Sequence, residues 1–167
     1  MDLNPTTIHT PRLDLLPLRV DHAAEMAEVL SDPALHTYIG GAPASPEALR
    51  TRYERLASGS PDPSVTWLNW VLHHRADAHL LGTVQATVTG RTAEIAWITG
   101  TPWQGKGYAS EAVRALITWL TEHSVRTITA HIHPAHRASE SVARAAGLQP
   151  THEKQDGERR WRLTLPD

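Results

Sequence analysis

The 167-residue chain contains no cysteine. That excludes a disulfide framework, a cysteine nucleophile, an iron–sulfur cluster and a thiolate zinc site. Phenylalanine is also missing, and lysine occurs only at positions 106 and 154, beside fourteen arginines and six tryptophans. The arginine and alanine excess reads as codon bias rather than chemistry. Neither sign of charge dominates: sixteen Lys and Arg oppose eighteen Asp and Glu, a formal −2. So balanced a chain has no overall footprint for an anionic membrane or a nucleic acid, and neither is expected as a partner. No stretch approaches the roughly 18 apolar residues of a membrane span. The opening Met-Asp-Leu-Asn-Pro lacks the basic start and apolar run of a secretion signal, so a cytoplasmic location is expected.

What remains is a globular composition, 40% hydrophobic and 20% charged, which excludes disorder and collagen-like repeats. The length suits one domain over residues 1–167 with a core of its own. Leu13–Leu18 reads as a first strand, and Asp21 as the cap of a helix ending before Pro33. Ser45-Pro46-Glu47 places a capping residue and then proline at a second helix start. Three strand-like runs follow, Thr66–His73, Leu80–Thr89 and Arg91–Thr99, with turns at Ala76-Asp77 and Gly90. A helix over Tyr108–His123 carries Ala109, Ala112, Val113, Leu116 and Leu120 at three- and four-residue steps. Arg126–His133 reads as a strand, Ala138–Ala146 as a helix stopped by Gly147, and Arg160–Leu165 as a last strand. The order predicts an α/β fold with a mixed sheet.

The chemistry concentrates in Gly100-Thr-Pro-Trp-Gln-Gly-Lys-Gly-Tyr-Ala-Ser110, between a strand and the best helix. Glycines there let backbone approach a ligand, and a helix start offers unpaired N–H donors to a phosphate. An ordinary tight turn is the plain alternative. Gly100-x4-Gly105-Lys106 resembles a Walker loop, but Gly107 stands where Ser or Thr would hold magnesium. Gly105-x-Gly107-x-x-Ser110 resembles the dinucleotide fingerprint, but Ser110 takes the place of its third glycine, and three consecutive strands precede it. Nucleotide hydrolysis and dinucleotide redox are therefore poor readings.

The pattern Gln/Arg-x-x-Gly-x-Gly/Ala is met by Gln104, Gly107 and Ala109. It resembles the acyl-CoA pyrophosphate loop of the GCN5-related N-acetyltransferases (GNATs). The stretch Pro102–Ala112 resembles more narrowly the Rim-type branch that modifies ribosomal proteins. Leu80-Leu-Gly-Thr-Val84, Ala93–Trp97 and Ser139–Leu148 support it, and the family's element order runs from Leu13 to Leu165. The resemblance implies a mixed central sheet, flanked by helices and splayed open beside a bulge near Trp97, Ile98 and Thr99. Acetyl-CoA as acyl donor would lie in the splay. Its pantetheine arm would pair with the bulged strand, and its diphosphate would meet backbone N–H groups of Gln104, Gly105, Lys106, Gly107, Tyr108 and Ala109. Lys106 either adds charge there or stays solvated.

Amine attack on a thioester needs a neutral amine, a stabilised oxyanion and a protonated thiol. Glu94 is the candidate base: a carboxylate inside an otherwise apolar strand, where burial would raise its pKa. The resemblance supports a glutamate base at this position; a solvated strand face is the alternative. An N–H near Ile98 would polarise the thioester. Many family members carry a tyrosine acid four residues before the glycine that ends the last helix, and this chain has Ala143. His136 stands where the Rim-type branch often has a pantetheine-binding asparagine, with Ser139 retained. Ser139 could hydrogen-bond the sulfur; His136 could replace the asparagine contact, donate a proton, or lie on the surface.

Asp32, Leu35, His36, Tyr38 and Ile39 would line the acceptor entrance, with Trp67, Asn69 and Trp97 on the sheet side, Trp67 and Asn69 sharing one strand face. The alternative for the tryptophans is core filling in place of phenylalanine. His131, His133 and His136 have a spacing that zinc could use, but no carboxylate or cysteine completes the set and no metal is expected. The reading is an N-acetyltransferase that moves an acetyl group from acetyl-CoA directly to a primary amine. A small molecule or a protein N-terminus would supply that amine, and a homodimer is compatible. The competing readings are a non-catalytic acyl-CoA sensor on the same fold and a scaffold for a protein partner.

Overall fold

Alternation along the middle strands sends one set of apolar residues to a main core and leaves the other face covered only in part. The computed structural model describes residues 3–167. Its strands are β1 (Ile8–His9), β2 (Leu13–Pro17), β3 (Val65–His74), β4 (His79–Thr89), β5 (Thr92–Thr99), β6 (Thr127–Ile132), β7 (Gln149–Gln155) and β8 (Glu158–Thr164). They form one sheet in the order β1-β2-β3-β4-β5-β6-β8-β7. Every neighbouring pair is antiparallel except β5–β6, which is parallel.

Helices α1 (Ala23–Val29), α2 (Pro46–Ser58), α3 (Tyr108–Glu122) and α4 (Arg137–Ala145) divide between the two faces. Leu68, Trp70, Leu72, Val84, Ala86, Ala93, Ile95, Ile128 and Ala130 alternate inward and join Ala112, Val113, Leu116 and Leu120 of α3 in the main core. Burying a side chain such as Leu116 there contributes about 2–3 kcal/mol. A second core, under α1 and α2, gathers Met26, Val29, Leu49, Tyr53, Val71 and Leu80 on the opposite face. On that face Asn69, Thr83, Gln85, Thr87 and Glu94 are only part-buried or exposed.

The strand and helix expectations hold in the main, with three differences. Ser45 caps α2 as expected, its Oγ accepting the Ala48 N–H over 3.1 Å. Asp21 does not cap α1: its carboxylate pairs with Arg19 at 2.7 Å, and a 3₁₀ turn over Val20–His22 leads into the helix instead. His22 Nδ1 closes that turn by accepting the Arg19 N–H at 3.0 Å. Strand β7, Gln-Pro-Thr-His-Glu-Lys-Gln, escaped the sequence reading because it is an edge strand with no buried residue and hence no alternation. Strand β1 spans only two residues, too few to show a period.

The expected splay is present. Strands β5 and β6 pair only at Thr92↔Thr127, Ala93↔Ile128 and Glu94↔Thr129. Beyond Glu94 the two strands part, and the β6-facing backbone of Ile95–Thr99 has no strand partner among the described residues. No inserted residue is needed for this, and the expected bulge at 97–99 is absent from the β4–β5 ladder. That ladder runs in unbroken register from Gly82↔Thr99 to Thr89↔Thr92. Its closeness depends on Gly82, where any Cβ would overlap the Ile98 carbonyl.

Candidate active site

The loop from β5 to α3 is shaped by backbone that only glycine tolerates well. Gly105 has φ +76° and Gly107 has φ +84°, the latter directly preceding the first helical residue, Tyr108. Gly100 is needed for space instead: a Cβ there would lie 2.8 Å from both the Trp103 ring and the Val29 carbonyl. Gln104 braces the loop from within. Its N–H donates to the Thr101 carbonyl at 3.3 Å and its side-chain amide to the Thr99 carbonyl at 3.0 Å. The N–H groups left to face a ligand therefore begin after Gln104, one residue later than expected. Lys106 is exposed, and Tyr108 and Ala109 open α3.

Arg12 holds the loop from outside, a contact no local pattern announces. Its Nη1 donates to the Lys106 carbonyl at 2.9 Å, its Nε to Glu111 at 2.8 Å, and its guanidinium lies 4.2 Å from the centre of the Tyr108 ring. Glu111 also accepts from the Thr10 hydroxyl at 2.6 Å and the Arg12 N–H at 2.9 Å. Burial pushes the Glu111 carboxyl up, but these donors outweigh it and hold the group below the ordinary value. Glu111 also sits in the first turn of α3, where the helix dipole favours an anion.

Two further features fit an acyl-CoA between loop and splay. Thr99 Oγ1, at the head of the splay, is buried and has no hydrogen-bond partner. The space around a Cβ at Gly105 is open. A chain of amides with a diphosphate at one end has the donors and acceptors for unpaired β5 backbone, a lone hydroxyl and the loop N–H groups.

Glu94 closes the narrow end of the splay at its last paired position. The expected burial is not found: its side chain is 55% exposed. Alternation is the reason. Ala93 and Ile95 face the main core, which turns Glu94 and Ala96 to the uncovered face. On that face the register aligns Glu94 with Thr87 and Trp67, and Ala96 with Gln85 and Asn69. Trp67 is part-buried there rather than core filling, whereas Trp70 and Trp161 are fully buried. Trp97 points the other way and packs against the main core, Ile98 toward the Glu94 face. Glu94 Oε1 lies 3.0 Å from His131 Nδ1. His131 and its neighbour Arg160 come from β6 and β8, and sequence spacing carries no sign of either contact.

Across the cleft, His136 Nε2 lies 3.2 Å from Ser139 Oγ at the start of α4. Ser139 is buried, and Tyr38 stacks on the His136 ring at 4.7 Å. Burial lowers the His136 pKa, His133 adds to the shift, and Glu140 opposes it. The net effect favours the neutral imidazole. Ala143 is fully buried and its methyl group has no proton to give. Tyr38 thus carries the α1–α2 segment over to the β6–α4 turn, meeting His133 as well at 5.1 Å. Asp32 and His36 instead serve that segment itself. Asp32 accepts from the Ala34 N–H at 2.9 Å and from the Thr101 hydroxyl, both of which lower its pKa, and His36 Nδ1 lies 3.1 Å from the Gly40 carbonyl.

The histidines do not gather into a metal centre as spaced in the sequence. His131 turns to Glu94, while His136 stacks on Tyr38 and His133 meets the same ring at a tilt. His74, Asp77 and His79 lie close together at the β3–β4 turn, but His74 Nδ1 accepts the Asp77 N–H at 3.1 Å. Its lone pair is spent on closing the hairpin. A cavity of about 720 Å³ lies between the N-terminal arm and α3, away from Glu94 and Ser139.

Comparison with known proteins agrees with this fold. The model of the acetyltransferase (GNAT) domain matches residues 12–149. A GNAT-family acetyltransferase from Bacillus anthracis has a TM-score of 0.78 at 19% identity, over 95% of this chain and 98% of that one. RimJ from Mycobacterium smegmatis, solved with CoA-disulfide, gives 0.79 at 17% identity, over 96% and 88%. The ribosomal-protein-S5-alanine acetyltransferase from Vibrio fischeri gives 0.76 at 16%, over 98% of both chains. At such identities the likeness is one of fold. No curated protein sequence matches. With the family model covering β2 to β6, the glycine loop and α4, the chain belongs to the GNAT acetyltransferases.

Proposed function

We propose that the protein transfers an acetyl group from acetyl-CoA to a primary amine by direct attack, with both substrates bound together. The amine belongs to a small molecule or to a protein N-terminus. The observation that carries this reading is the path from the glycine loop down the splay. It starts at N–H donors suited to a diphosphate and passes the β6-facing backbone of Ile95–Thr99, and in this reading it ends between Glu94 and Ser139.

In this reading Glu94 takes the proton from the incoming ammonium, directly or through water, and faces an open sheet surface from which the amine arrives. Trp67 and Asn69 extend that surface, with Asp32, His36 and Tyr38 on the segment above it. An N–H near Ile98 polarises the thioester carbonyl. The Ser139 hydroxyl supplies a hydrogen bond to the departing sulfur, and His136 fixes that hydroxyl. The protein works in the cytoplasm, and no helix among the described residues is long and apolar enough to cross a membrane.

Calorimetric titration with acetyl-CoA, with ATP and NAD as controls, tests the donor. A thiol-release screen over amines then tests turnover. Glu94→Gln is expected to keep acetyl-CoA binding and lower turnover by about 100-fold, the scale of general-base catalysis. Saturable binding with no turnover on any amine would favour an acyl-CoA sensor. No binding at millimolar acetyl-CoA would remove the basis of the reading.

A further inference from the structure

Glu94, His131 and Arg160 form a chain of side chains across the narrow end of the splay, one from each of β5, β6 and β8. All three project from one sheet face, because Glu94 pairs with Thr129, and Thr129 shares its face with His131, which pairs with Arg160. Glu94 Oε1 lies 3.0 Å from His131 Nδ1, and the His131 side chain is 14% exposed. Arg160 Nε donates to His131 Nε2 over 3.3 Å. Glu153 on β7 lies behind, 3.8 Å from Arg160 and hydrogen-bonded to Arg162.

The donors in this chain settle the ring's tautomer. A guanidinium has only N–H groups to offer, so His131 Nε2 must present its lone pair to Arg160. The proton of the neutral ring then sits on Nδ1, the nitrogen that lies 3.0 Å from Glu94 Oε1. Free imidazole side chains have no such constraint. An exposed glutamate is otherwise free to sample many rotamers, most of them pointing away from the cleft.

We propose that His131 is a positioning residue that holds the Glu94 carboxylate at the end of the splay, with Arg160 fixing the ring so that Nδ1–H faces that carboxylate. The proposal rests on Glu94 being the proton acceptor. It acts on the orientation of the base and not on the binding of the acyl donor, which meets the loop and β5 instead. Loss of the hold is expected to spread Glu94 over several rotamers and reduce its productive fraction about tenfold.

Two measurements on the full-length protein test this. Long-range ¹⁵N–¹H NMR of the histidines reads the tautomer directly, with the His131→Asn spectrum identifying the signal. The expected result is a ring protonated at Nδ1 in the wild type, reverting toward the Nε2–H form in Arg160→Met. In thiol-release kinetics with alanine amide as the amine, His131→Ala should lower kcat about tenfold and leave the KM for acetyl-CoA unchanged. His131→Asn, whose side-chain N–H takes the place of Nδ1–H, should restore most of kcat. An Nε2–H ring in the wild type would overturn the proposal, as would unchanged kcat in His131→Ala or equal losses in the Ala and Asn variants. If Glu94→Gln itself turned over normally, the base assignment would fall, and the NMR result would still decide whether His131 holds that carboxylate.

Discussion

Arg12→Met is the substitution that best tests how the donor loop is held, because it keeps the aliphatic stem and removes only the guanidinium. Three contacts go at once: Nε to Glu111 at 2.8 Å, Nη1 to the Lys106 carbonyl at 2.9 Å, and the cation over Tyr108 at 4.2 Å. A charge-assisted hydrogen bond contributes about 1.5–3 kcal/mol when buried. Arg12 is 41% exposed and Glu111 12%, so the lower end applies. The cation over the ring adds roughly 0.5–1 kcal/mol. The exposed Lys106 carbonyl can turn to water at little cost. The expected loss is about 2 kcal/mol, or a fall of roughly 4–8 °C in Tm. A double-mutant cycle with Glu111→Gln should return a coupling of about 1–2 kcal/mol.

The pH dependence provides a sign to check. Folding depresses the Glu111 pKa, so its ionised partners stabilise the protein above the unfolded-state value, and that contribution is lost as pH falls through the folded one. The cost of Arg12→Met in urea unfolding should therefore shrink as the pH falls from 7 through the depressed folded-state value, below which the carboxyl is protonated in both states. Acetyl-CoA affinity at neutral pH should fall as well, since the Lys106 peptide loses its anchor. A cost below about 0.5 kcal/mol, or one that grew on acidification, would show that Arg12 does not hold Glu111 and the loop in this way.

Two glycines near the donor path give further tests. Gly107→Ala places a side chain at φ +84° and should cost about 1–2 kcal/mol in thermal or urea unfolding, with weaker acetyl-CoA binding by calorimetry. Gly82→Ala drives a Cβ into the Ile98 carbonyl, a clash between backbones that neither strand can relieve by a rotamer change. Expected consequences are a loss of about 1–3 kcal/mol and raised KM for acetyl-CoA; an unchanged Tm would contradict the closeness of β4 and β5.

How much of this was legible from the sequence depends on whether an element carries its signal locally. The three central strands, α3 with its apolar stripe and the capped start of α2 each announce themselves within a dozen residues. So does the loop ahead of α3, since glycines at 105 and 107 are what its positive φ angles require. The errors arise where the signal is non-local. Glu94 looks buried when its neighbours are counted, but a strand sends Ala93 and Ile95 one way and Glu94 the other, and nothing local says which face a helix will cover. His131 and Arg160 meet Glu94 only through the parallel β5–β6 pair and the β6–β8 register. Arg12 reaches Glu111 across 99 positions of sequence. β7 has no buried side to reveal it.

The strand order has a consequence for how the protein assembles. Strands β3 to β5 form a meander whose neighbours are close in sequence, so that part can zip up early, whereas β2 reaches β3 only across the two helices between them. Strand β6 joins it through three residue pairs and must wait for its main partner, because β8 inserts between β6 and β7 and supplies six pairs. Until β8 arrives, β6 is an open edge of the kind that recruits other chains. The same late strand brings Arg160 to the narrow end of the splay. Nascent chains lacking β8 would therefore hold a formed glycine loop beside an unfinished sheet, sticky along β6 and unable to set the ring of His131.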